Sequence, residues 1–586
     1  MANNKKQVSR RDFVKGAGSV AVAAGSGLGL QGLRTARAQE NQKFNILMIL
    51  TDQERHMTAA QLPPGYRLPA HEKLASRGVE FENHQVASCV CTPSRSVIYT
   101  GQHIQNNGMF DNTNFPWSND MSTEIPTVGD MLRRQGYYTA YKGKWHLTDE
   151  FETANELHAP TRILSEEMAE YGFADYFGIG DIIANTEGGF LHDGVIAAMT
   201  RSWLRGKATN LSDDGTPWFM AVNLVNPHDV MYYNTDLVGG PAKQQSTAMM
   251  PINRDPDTAQ FKRQWDVKLP ESRHQSVTGA DRPAAHINFA DARSALVGRV
   301  PNEDDRWRRL NNYYFNCIQT VDNHIMSILD ELEDQGMADN TIIIYTADHG
   351  EHAGAHGLSG KGATAYREQN NVPFIVSHPE VAGGQRCKAV TSHLDIAPTL
   401  ISLAGGNPDS EANVIGNDIS AVLRDPEAGS LEAVRPGALY NYNMLAYLDR
   451  DFMLNVSKFL REGGNPDELP DKGWRPDLEK RGAIRSVFDG RYKLSRYFSP
   501  QQHHMPQTIE ELYANNDVEL FDLLDDPNEM INLAVDRKAN GELVLAMNEK
   551  LNALIEDEVG EDIGQMMPGG ADANWTLEPS IRNLRM

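Results

Sequence analysis

The sequence has 586 residues and a formal net charge of −24, and 40% of its residues are hydrophobic. A chain this acidic has no overall electrostatic attraction to nucleic acid or to an anionic membrane, so any anion-binding site must be a local basic cluster. The length allows a large buried core and more than one domain. Four cysteines are too few for disulfides to be the main source of stability, although Cys317 and Cys387 could pair.

Residues 1–38 are typical of a twin-arginine export signal. Residues 9–15 carry the paired arginines, residues 16–30 are a weakly apolar run rich in glycine and alanine, and residues 36–38 form a small-x-small cleavage site. Residues 1–38 hold seven basic residues and one acidic residue, so the mature chain has a net charge of −30. We expect the twin-arginine machinery to deliver it to the periplasm or outside the cell. No stable membrane anchor is expected, because no stretch reaches the roughly 20 apolar residues of a membrane span.

The first predicted strand covers residues 44–50, an unbroken apolar run typical of a strand buried on both faces of a parallel sheet. The strand leads into Asp52 and Gln53. Ligands of open α/β sheets lie beyond the carboxyl ends of the strands, so these residues are placed where chemistry usually occurs. An aspartate here is also common as a helix cap or turn former.

Residues 88–101 place Cys91 two residues before Pro93 and four before Arg95. Proline fixes φ and removes a backbone donor, so we expect Cys91 at a turn just ahead of a short apolar segment with helical or buried character. An anion is well placed near a helix N-terminus. A buried structural cysteine is the alternative interpretation of this residue alone.

Residues 127–134 have a helical pattern, and the next polar cluster contains Lys144 and His146. Two residues separated by one position project to the same side of an extended backbone. Either residue alone would be more simply interpreted as a solvated lysine or a hydrogen-bonded histidine.

Residues 218–224 are a second buried strand candidate, and His228 follows its end directly after a proline. Residues 230–302 are polar, irregular and rich in Asp, Arg, Gln and Pro. We interpret this stretch as an insertion over the site or a surface excursion that carries substrate selectivity.

Residues 321–332 have apolar residues at helical spacing, and residues 341–345 are a β-branched strand that leads into Asp348 and His349. Two buried strands therefore each end in an aspartate followed by a residue that can bind metal. Together with Asp52, Asp348 indicates a divalent cation site. Further along, Lys361 precedes a predicted strand at residues 374–376.

Residues 483–494 have a hairpin pattern with Asp-Gly at the turn. These elements predict an α/β fold, in which a large mixed, mostly parallel sheet is flanked by helices and a smaller C-terminal α+β subdomain contains an antiparallel sheet. We place the catalytic domain at residues 39–430 and the C-terminal subdomain at residues 431–586.

The motif Cys91-x-Pro93-Ser94-Arg95, with Thr100-Gly101 behind it, resembles the maturation signature of the type I, formylglycine-dependent sulfatases of the alkaline phosphatase superfamily. The resemblance implies that Cys91 is oxidised to formylglycine, which requires a formylglycine-generating enzyme. The aldehyde hydrates to a geminal diol and becomes the nucleophile.

The resemblance also implies roles for the other candidates. Lys144 would contact the sulfate, His146 the diol, and His228 and Lys361 the leaving-group oxygen, while Arg95 adds to the positive field. The histidines and polar residues nearby are expected to be structural or to lie at the rim: His103, Asn107, Asp111, His352 and His356.

The implied metal site departs from the family pattern of an Asp-Asp pair and an Asp-Asn or Asp-His pair. This chain has Asp52-Gln53 and Asp348-His349, which is similar to choline sulfatases and phosphonate monoester hydrolases. Oxygen ligands favour calcium, whereas an imidazole nitrogen shifts preference toward manganese or zinc, so we expect one divalent cation, with calcium first and manganese next. The predicted ligands are Asp52, Gln53, Cys91, Asp348 and His349.

The expected function is hydrolysis of sulfate monoesters in an arylsulfatase-like reaction, on a small-molecule or glycan sulfate ester. A phosphonate monoester or phosphodiester hydrolase is the alternative that Gln53 and His349 leave open, whereas Lys144 and His146 favour sulfate. An inactive exported protein that binds sulfated glycans is a more remote alternative. A homo-oligomer is compatible with the sequence.

Overall fold

The computed structural model describes residues 43–115, 117–148, 165–176, 186–465, 468–502, 504–560 and 562. The predicted export signal at residues 1–38 lies outside these ranges. Among the described residues, no helix combines the length and the apolar character that crossing a bilayer requires.

A seven-stranded mixed sheet forms the centre of the molecule. Its spatial order is β3-β4-β1-β5-β6-β2-β7, and only β6 runs antiparallel to its neighbours. The predicted large, mostly parallel sheet is therefore confirmed. The strands are β1 Asn45–Asp52, β2 Val79–Gln85, β3 Tyr138–Gly143, β4 Trp218–Pro227, β5 Thr341–Ala347, β6 Phe374–Ser377 and β7 Gln385–Ser392.

Strand β1 is buried along its whole length, as its unbroken apolar sequence predicts. Ile46, Met48 and Leu50 belong to one hydrophobic cluster, whereas Leu47 and Ile49 belong to another. Alternate side chains of a strand point to opposite faces, so the two clusters are the two apolar layers that cover the sheet.

The helices that cover the sheet include one of 31 residues, α9, whose apolar stripe packs on the same cluster as Leu47. The α-helices of the described residues are α1 Pro69–Arg77, α2 Cys91–Thr100, α3 Ile104–Asn107, α4 Val128–Arg134, α5 Ser165–Glu170, α6 Gly188–Trp203, α7 Thr209–Asp213, α8 Ala284–Val297, α9 Asp304–Asp334, α10 Arg367–Asn370, α11 Ile396–Leu403, α12 Ser420–Arg424, α13 Arg450–Arg461, α14 Ile509–Asn515 and α15 Arg537–Glu558.

A second, four-stranded sheet is entirely antiparallel, in the order β11-β10-β9-β8. The predicted hairpin is its β9-β10 pair, and Gly490 in the connecting turn has a φ of +98° that favours glycine. The predicted antiparallel C-terminal sheet is thus present. Its strands are β8 Ala438–Tyr442, β9 Ala483–Phe488, β10 Tyr492–Phe498 and β11 Asn516–Asp522.

Two features of the chain could not be settled from sequence. All four cysteines are buried free thiols, so Cys317 and Cys387 do not form a disulfide. Residues 230–302 were expected to be irregular, but they include the 14-residue helix α8. This helix packs its buried face into the cluster that also contains Phe115 and Tyr447. The domain boundary near residue 430 stays a prediction.

Candidate active site

The carboxyl ends of β1 and β5 place two aspartates side by side. The strands are parallel neighbours, with Leu50 opposite Thr346 and Thr51 opposite Ala347. Strand β5 ends at Ala347 and β1 ends at Asp52, and the backbone N–H of Asp348 donates to the carbonyl of Thr51 at 3.1 Å. The register therefore brings Asp52 and Asp348 to one edge of the sheet, as the sequence predicts.

Cys91 is the first residue of α2, and its thiol points at this pair of strand ends. Its Sγ lies 3.2 Å from His349 Nε2 and 3.7 Å from Asp52 Oδ1. The side chain is buried, and Thr92 donates from Oγ1 to the carbonyl of His146 at 2.7 Å. The helix start thus presents Cys91 to the predicted metal ligands.

Arg95 lies one turn further along α2 and links both aspartates. Its Nε donates to Asp348 Oδ2 at 2.9 Å and its Nη2 to Asp52 Oδ2 at 3.3 Å, with all three side chains fully buried. Its Nη1 donates to the carbonyl of Lys144 and to Asn223 Oδ1. The guanidinium is therefore a fixed positive charge behind the carboxylates.

Lys144, which directly follows β3, contacts the carboxylate of Asp52. Its Nζ lies 2.6 Å from Asp52 Oδ2, and its backbone N–H donates to the carbonyl of Asn223 at 3.1 Å. Burial lowers the pKa of Lys144, but the charge of Asp52 outweighs it and raises the pKa above its usual value. Lys144 is therefore cationic at the site.

The two buried carboxylates differ in their pKa. Burial raises the pKa of Asp52, but the positive charges of Lys144 and its neighbours hold it well below its ordinary value. Burial and the negative charge of Asp52 raise the pKa of Asp348 to about 6. A cation between the two carboxylates would relieve this repulsion.

Four of the five predicted metal ligands form one group. One ligand atom of each lies within 4.8 Å of all the others, and all four side chains are buried. His349 Nε2 is 3.8 Å from Asp52 Oδ1 and 3.7 Å from Asp348 Oδ1. A set of two carboxylates, one imidazole and one residue at the cysteine position fits a divalent ion. The group consists of Asp52, Cys91, Asp348 and His349.

The amide of the fifth predicted ligand, Gln53, is held by other partners. Its Oε1 accepts from Lys361 Nζ, and its Nε2 donates to Glu351 Oε2 at 2.5 Å. The residue has a φ of +73°, and its backbone N–H donates to Asp348 Oδ1 at 3.0 Å. The backbone of Gln53 therefore supports the cation site while its amide connects it to Lys361.

His146 and His228 line the cavity that opens onto Cys91, together with Lys144 and Lys361. The backbone from Lys144 to His146 is not extended, because β3 ends at Gly143 and His146 has a φ of +57°. Both side chains nevertheless reach one cavity. Burial and the neighbouring lysines lower the pKa of both histidines well below the ordinary value, so both are neutral.

The rest of the cavity wall is largely apolar and comes from four separate parts of the chain. The cavity has a volume of about 60 Å³. The segment 230–302, interpreted from sequence as a selectivity region, contributes Met231, Tyr232, Met250 and Leu296. The remaining apolar and aromatic lining residues are Val90, Phe115, Met444 and Tyr447.

Several residues that support the site were not assigned from sequence. Asn223 accepts from Arg95 and from Tyr99, and Glu351 accepts from Gln53. Asn223 is inside a predicted strand and Glu351 follows Asp348 closely, but no local pattern separates these buried partners from ordinary polar residues. Their roles depend on which strands are neighbours.

The residues expected to be structural have structural partners. His103 Nε2 is 2.8 Å from Glu558 Oε2, and Asp111 Oδ2 accepts from the indole of Trp117. Asn107 donates to Ser96 Oγ, and His352 Nδ1 lies 2.6 Å from the carbonyl of Gly360. His356 belongs to a separate group of side chains away from Cys91.

A family model and a curated relative that match this chain are both described as sulfatases. A family model described as Sulfatase matches residues 44–406. An arylsulfatase from Volvox carteri is 24% identical over 546 residues, which cover 90% of this chain and 76% of that protein.

Two solved structures have the same fold. A 2-O GAG sulfatase, BT1596, superposes with a TM-score of 0.60 at 20% identity and covers 88% of this chain and 92% of its own. A phosphonate monoester hydrolase of Agrobacterium radiobacter has a TM-score of 0.57 at 18% identity, with 88% and 96% covered. The fold is therefore common to proteins named for sulfate and for phosphonate chemistry.

Proposed function

The chain belongs to the sulfatase family of the alkaline phosphatase superfamily, and on this premise we propose an arylsulfatase-like reaction with formylglycine at position 91 as nucleophile. The protein is a sulfuric ester hydrolase, which converts a sulfate monoester and water into inorganic sulfate and an alcohol or phenol. The observation that carries the proposal is the position of Cys91 Sγ, 3.2 Å from His349 Nε2 and 3.7 Å from Asp52 Oδ1. Cys91 Sγ marks the place of the modified side chain.

A divalent cation would be held by Asp52, Asp348, His349 and the modified residue 91, with calcium proposed first and manganese second. When bound, such an ion supplies positive charge to sulfuryl oxygens and favours the deprotonated form of a hydroxyl nucleophile. Gln53 was included in the predicted ligand set. Its Oε1 would have to leave Lys361 to reach the ion.

Arg95 and Lys144 have distinct tasks in the reaction. Arg95 is fully buried between the two aspartates, so it orients them and lowers the cost of holding two carboxylates together. Lys144 lines the cavity and can turn one N–H of its ammonium toward a sulfuryl oxygen while another stays on Asp52. Preorganised charge in a site that excludes water is usually the largest contribution to catalysis.

His146, His228 and Lys361 would handle protons and the leaving group. Burial and Lys144 lower the pKa of His146, so its imidazole is neutral. A neutral imidazole can accept a proton from the diol. His228 and Lys361 line the same cavity, and Lys361 Nζ donates to Gln53 Oε1 in the free protein. Redirecting this N–H to the departing oxygen would stabilise its negative charge.

The apolar wall supports an aryl leaving group within this function. Phe115, Met231, Met250, Leu296 and Tyr447 line the cavity, so a phenolic ring would replace water against these side chains. Burying apolar surface contributes roughly 25 cal/mol per Å². A sugar hydroxyl array would leave its hydrogen bonds unmet against the same surface.

Maturation can be tested on the tryptic peptide that contains Cys91. We expect protein made in its own host, or with a formylglycine-generating enzyme, to give residues 78–95 with the mass deficit of CH2SH converted to CHO. Tandem mass spectrometry places the change at Cys91 or at Cys89. If protein that hydrolyses an aryl sulfate carried an unmodified Cys91, formylglycine could not be its nucleophile. The assignment as a sulfuric ester hydrolase would still stand.

A phosphonate monoester hydrolase is the second candidate. It is favoured by the pairs Asp52-Gln53 and Asp348-His349, in which Gln53 replaces a carboxylate and His349 offers a nitrogen. Turnover of an aryl sulfate and of the matching aryl phosphonate monoester should be compared at equal metal loading. We expect the larger kcat/KM for the sulfate, because Lys144 and His146, the pair that resembles the sulfate-contacting element of sulfatases, both line the cavity. A strong preference for the phosphonate would overturn the sulfate assignment.

Export is also a proposal. The twin-arginine motif of residues 9–15 supports delivery of the folded protein to the periplasm or beyond, with the small-x-small site at residues 36–38 as the cleavage point. Cell fractionation of a twin-arginine-deficient host tests this directly. If the protein still accumulated outside the cytoplasm of that host, twin-arginine export would be excluded.

A further inference from the structure

A second group of side chains that can bind metal lies away from Cys91. It consists of His356 in the loop after β5, Glu368 in α10 and Glu529 in the segment after β11. One ligand atom of each residue lies within 4.8 Å of the other two. His356 is 0% exposed and Glu529 is 1% exposed, while the side chain of Glu368 is 12% exposed.

The hydrogen bonds of His356 define which ring nitrogen carries the proton. The Nε2 amide nitrogen of Gln275 donates to the carbonyl of Met530 at 3.0 Å, so its Oε1 faces His356 Nδ1 at 2.8 Å as an acceptor. Nδ1 is therefore the protonated nitrogen of the neutral ring. Its Nε2 lone pair then lies 3.5 Å from Glu368 Oε2, an arrangement of two electron-rich atoms that a bound cation would stabilise.

The unpaired atoms of the group face one another. His356 Nε2 and Glu368 Oε2 are buried without a hydrogen bond, whereas Glu529 Oε1 lies 2.8 Å from Lys493 Nζ. The first two lie 3.5 Å apart, whereas a protonated imidazole on a carboxylate would give a contact of about 2.7–2.9 Å. Two ligands bonded at about 2.1 Å to one tetrahedral ion are separated by about 3.4 Å.

We propose that His356, Glu368 and Glu529 bind a divalent transition-metal ion of the zinc class. One imidazole and two carboxylates are ligands that zinc commonly takes in proteins. The neighbouring contacts resemble outer-shell partners that orient metal ligands. Glu529 Oε2 accepts from the backbone N–H of Arg367 at 2.7 Å, and Lys493 Nζ lies 2.8 Å from Glu529 Oε1.

The position of the group gives the ion a structural role. His356 and Glu368 bracket the segment that carries Lys361 to the catalytic cavity, and Glu529 belongs to the C-terminal part of the chain. The ion would fasten both ends of this segment to one point. It would thereby hold Lys361 near Gln53 without itself touching substrate.

Metal content of the full-length protein tests the proposal. Wild type, Glu529→Gln, Asp348→Asn and the exposed control Glu462→Gln are loaded with Zn²⁺ alone, desalted and analysed by mass spectrometry for zinc per chain. We expect Glu529→Gln to lose one equivalent that wild type, Glu462→Gln and Asp348→Asn all retain. Equal zinc in Glu529→Gln and wild type would overturn the site, as would an Asp348→Asn variant that retains no zinc at all, because that variant removes only a ligand of the catalytic pair.

A measurement on the wild-type protein covers the case in which Glu529→Gln does not fold. Crystals grown with Zn²⁺ as the only added metal are measured above and below the zinc absorption edge. We expect an anomalous peak within bonding distance of His356 Nε2, separate from any peak at Asp52 and Asp348. No peak beside His356 in crystals that show zinc at the catalytic pair would overturn the proposal.

Discussion

Lys144 Nζ lies 2.6 Å from Asp52 Oδ2, with both side chains buried. Asp52 is the last residue of β1 and Lys144 directly follows β3, and these two strands are not neighbours because β4 separates them in the sheet. The contact crosses the carboxyl end of β4 and so links the predicted sulfate-binding lysine to the predicted metal ligand. A substitution of either Lys144 or Asp52 should therefore affect both sulfate binding and metal binding.

We expect Lys144→Met to lower kcat/KM for an aryl sulfate by about 10²–10³-fold, the usual cost of removing one preorganised donor from a site of developing charge. Steady-state kinetics with a nitrophenyl sulfate measure the change. The exposed Lys207→Met is the matched control and should retain wild-type kinetics. Equal kcat/KM in Lys144→Met and wild type would mean that Lys144 does not act on the sulfate.

Gly143→Ala should destabilise the end of β3 and displace Lys144. Gly143 has a φ of +91°, and an added Cβ would lie 1.9 Å from the carbonyl oxygen of Asn223. Gly136 also has a positive φ, +82°, but no atom lies within 4 Å of an added Cβ. Gly136→Ala therefore measures the conformational cost alone, about 1 kcal/mol.

The two glycine variants are compared by urea unfolding and by kcat/KM. We expect Gly143→Ala to lose at least about 2 kcal/mol more than Gly136→Ala, because a backbone clash adds to the φ cost. Activity should fall only in Gly143→Ala. Similar stability and activity in both variants would show that β3 and β4 can separate without disturbing Lys144.

His71 should make stability depend on pH. Its Nδ1 lies 2.6 Å from Asp322 Oδ1 and its Nε2 lies 2.8 Å from Glu54 Oε1. Burial lowers the pKa of His71, but the two carboxylates outweigh burial and raise it from 6.5 to about 10. The protonated ring therefore stabilises the folded state fully below pH 6.5, and this stabilisation is lost as the pH rises toward about 10.

His71→Asn removes this dependence. The difference in unfolding free energy between wild type and His71→Asn should be on the order of 3 kcal/mol near pH 6 and shrink toward pH 10. Chemical denaturation at several pH values measures it, with the exposed His274→Asn as control. A difference that is constant over this range would exclude an ionised His71 in the folded protein.

Leu296→Asn tests the apolar wall. Leu296 is 4% exposed in α8 and lines the catalytic cavity. We expect kcat/KM for an aryl sulfate to fall about 10–100-fold, with a much smaller change for methyl sulfate, because only the aromatic leaving group reaches the wall. Leu237→Asn, at a site that is 57% exposed, is the control. Equal losses on both substrates would place the leaving group elsewhere.

Much of the fold, and which residues meet in the candidate site, could be predicted from local sequence. A short β-branched run such as residues 341–345 is typical of a strand buried on both faces of a sheet, and ligand-binding residues are usually found just beyond the carboxyl ends of such strands. This reasoning located Asp52 and Asp348. The Cys-x-Pro-Ser-Arg motif located Cys91 through resemblance, since one cysteine carries no chemical signal by itself.

The sequence by itself determined which residue types stand at the strand ends and at the start of α2, because strand periodicity and a short motif act over a few residues. Only the tertiary structure decided how Gln53 turns its amide to Lys361 and Glu351, and which apolar residues of 230–302 face Cys91. It also decided that His356, Glu368 and Glu529 meet. These relationships depend on strand order and on packing between distant segments, and neither leaves a periodic trace in the chain.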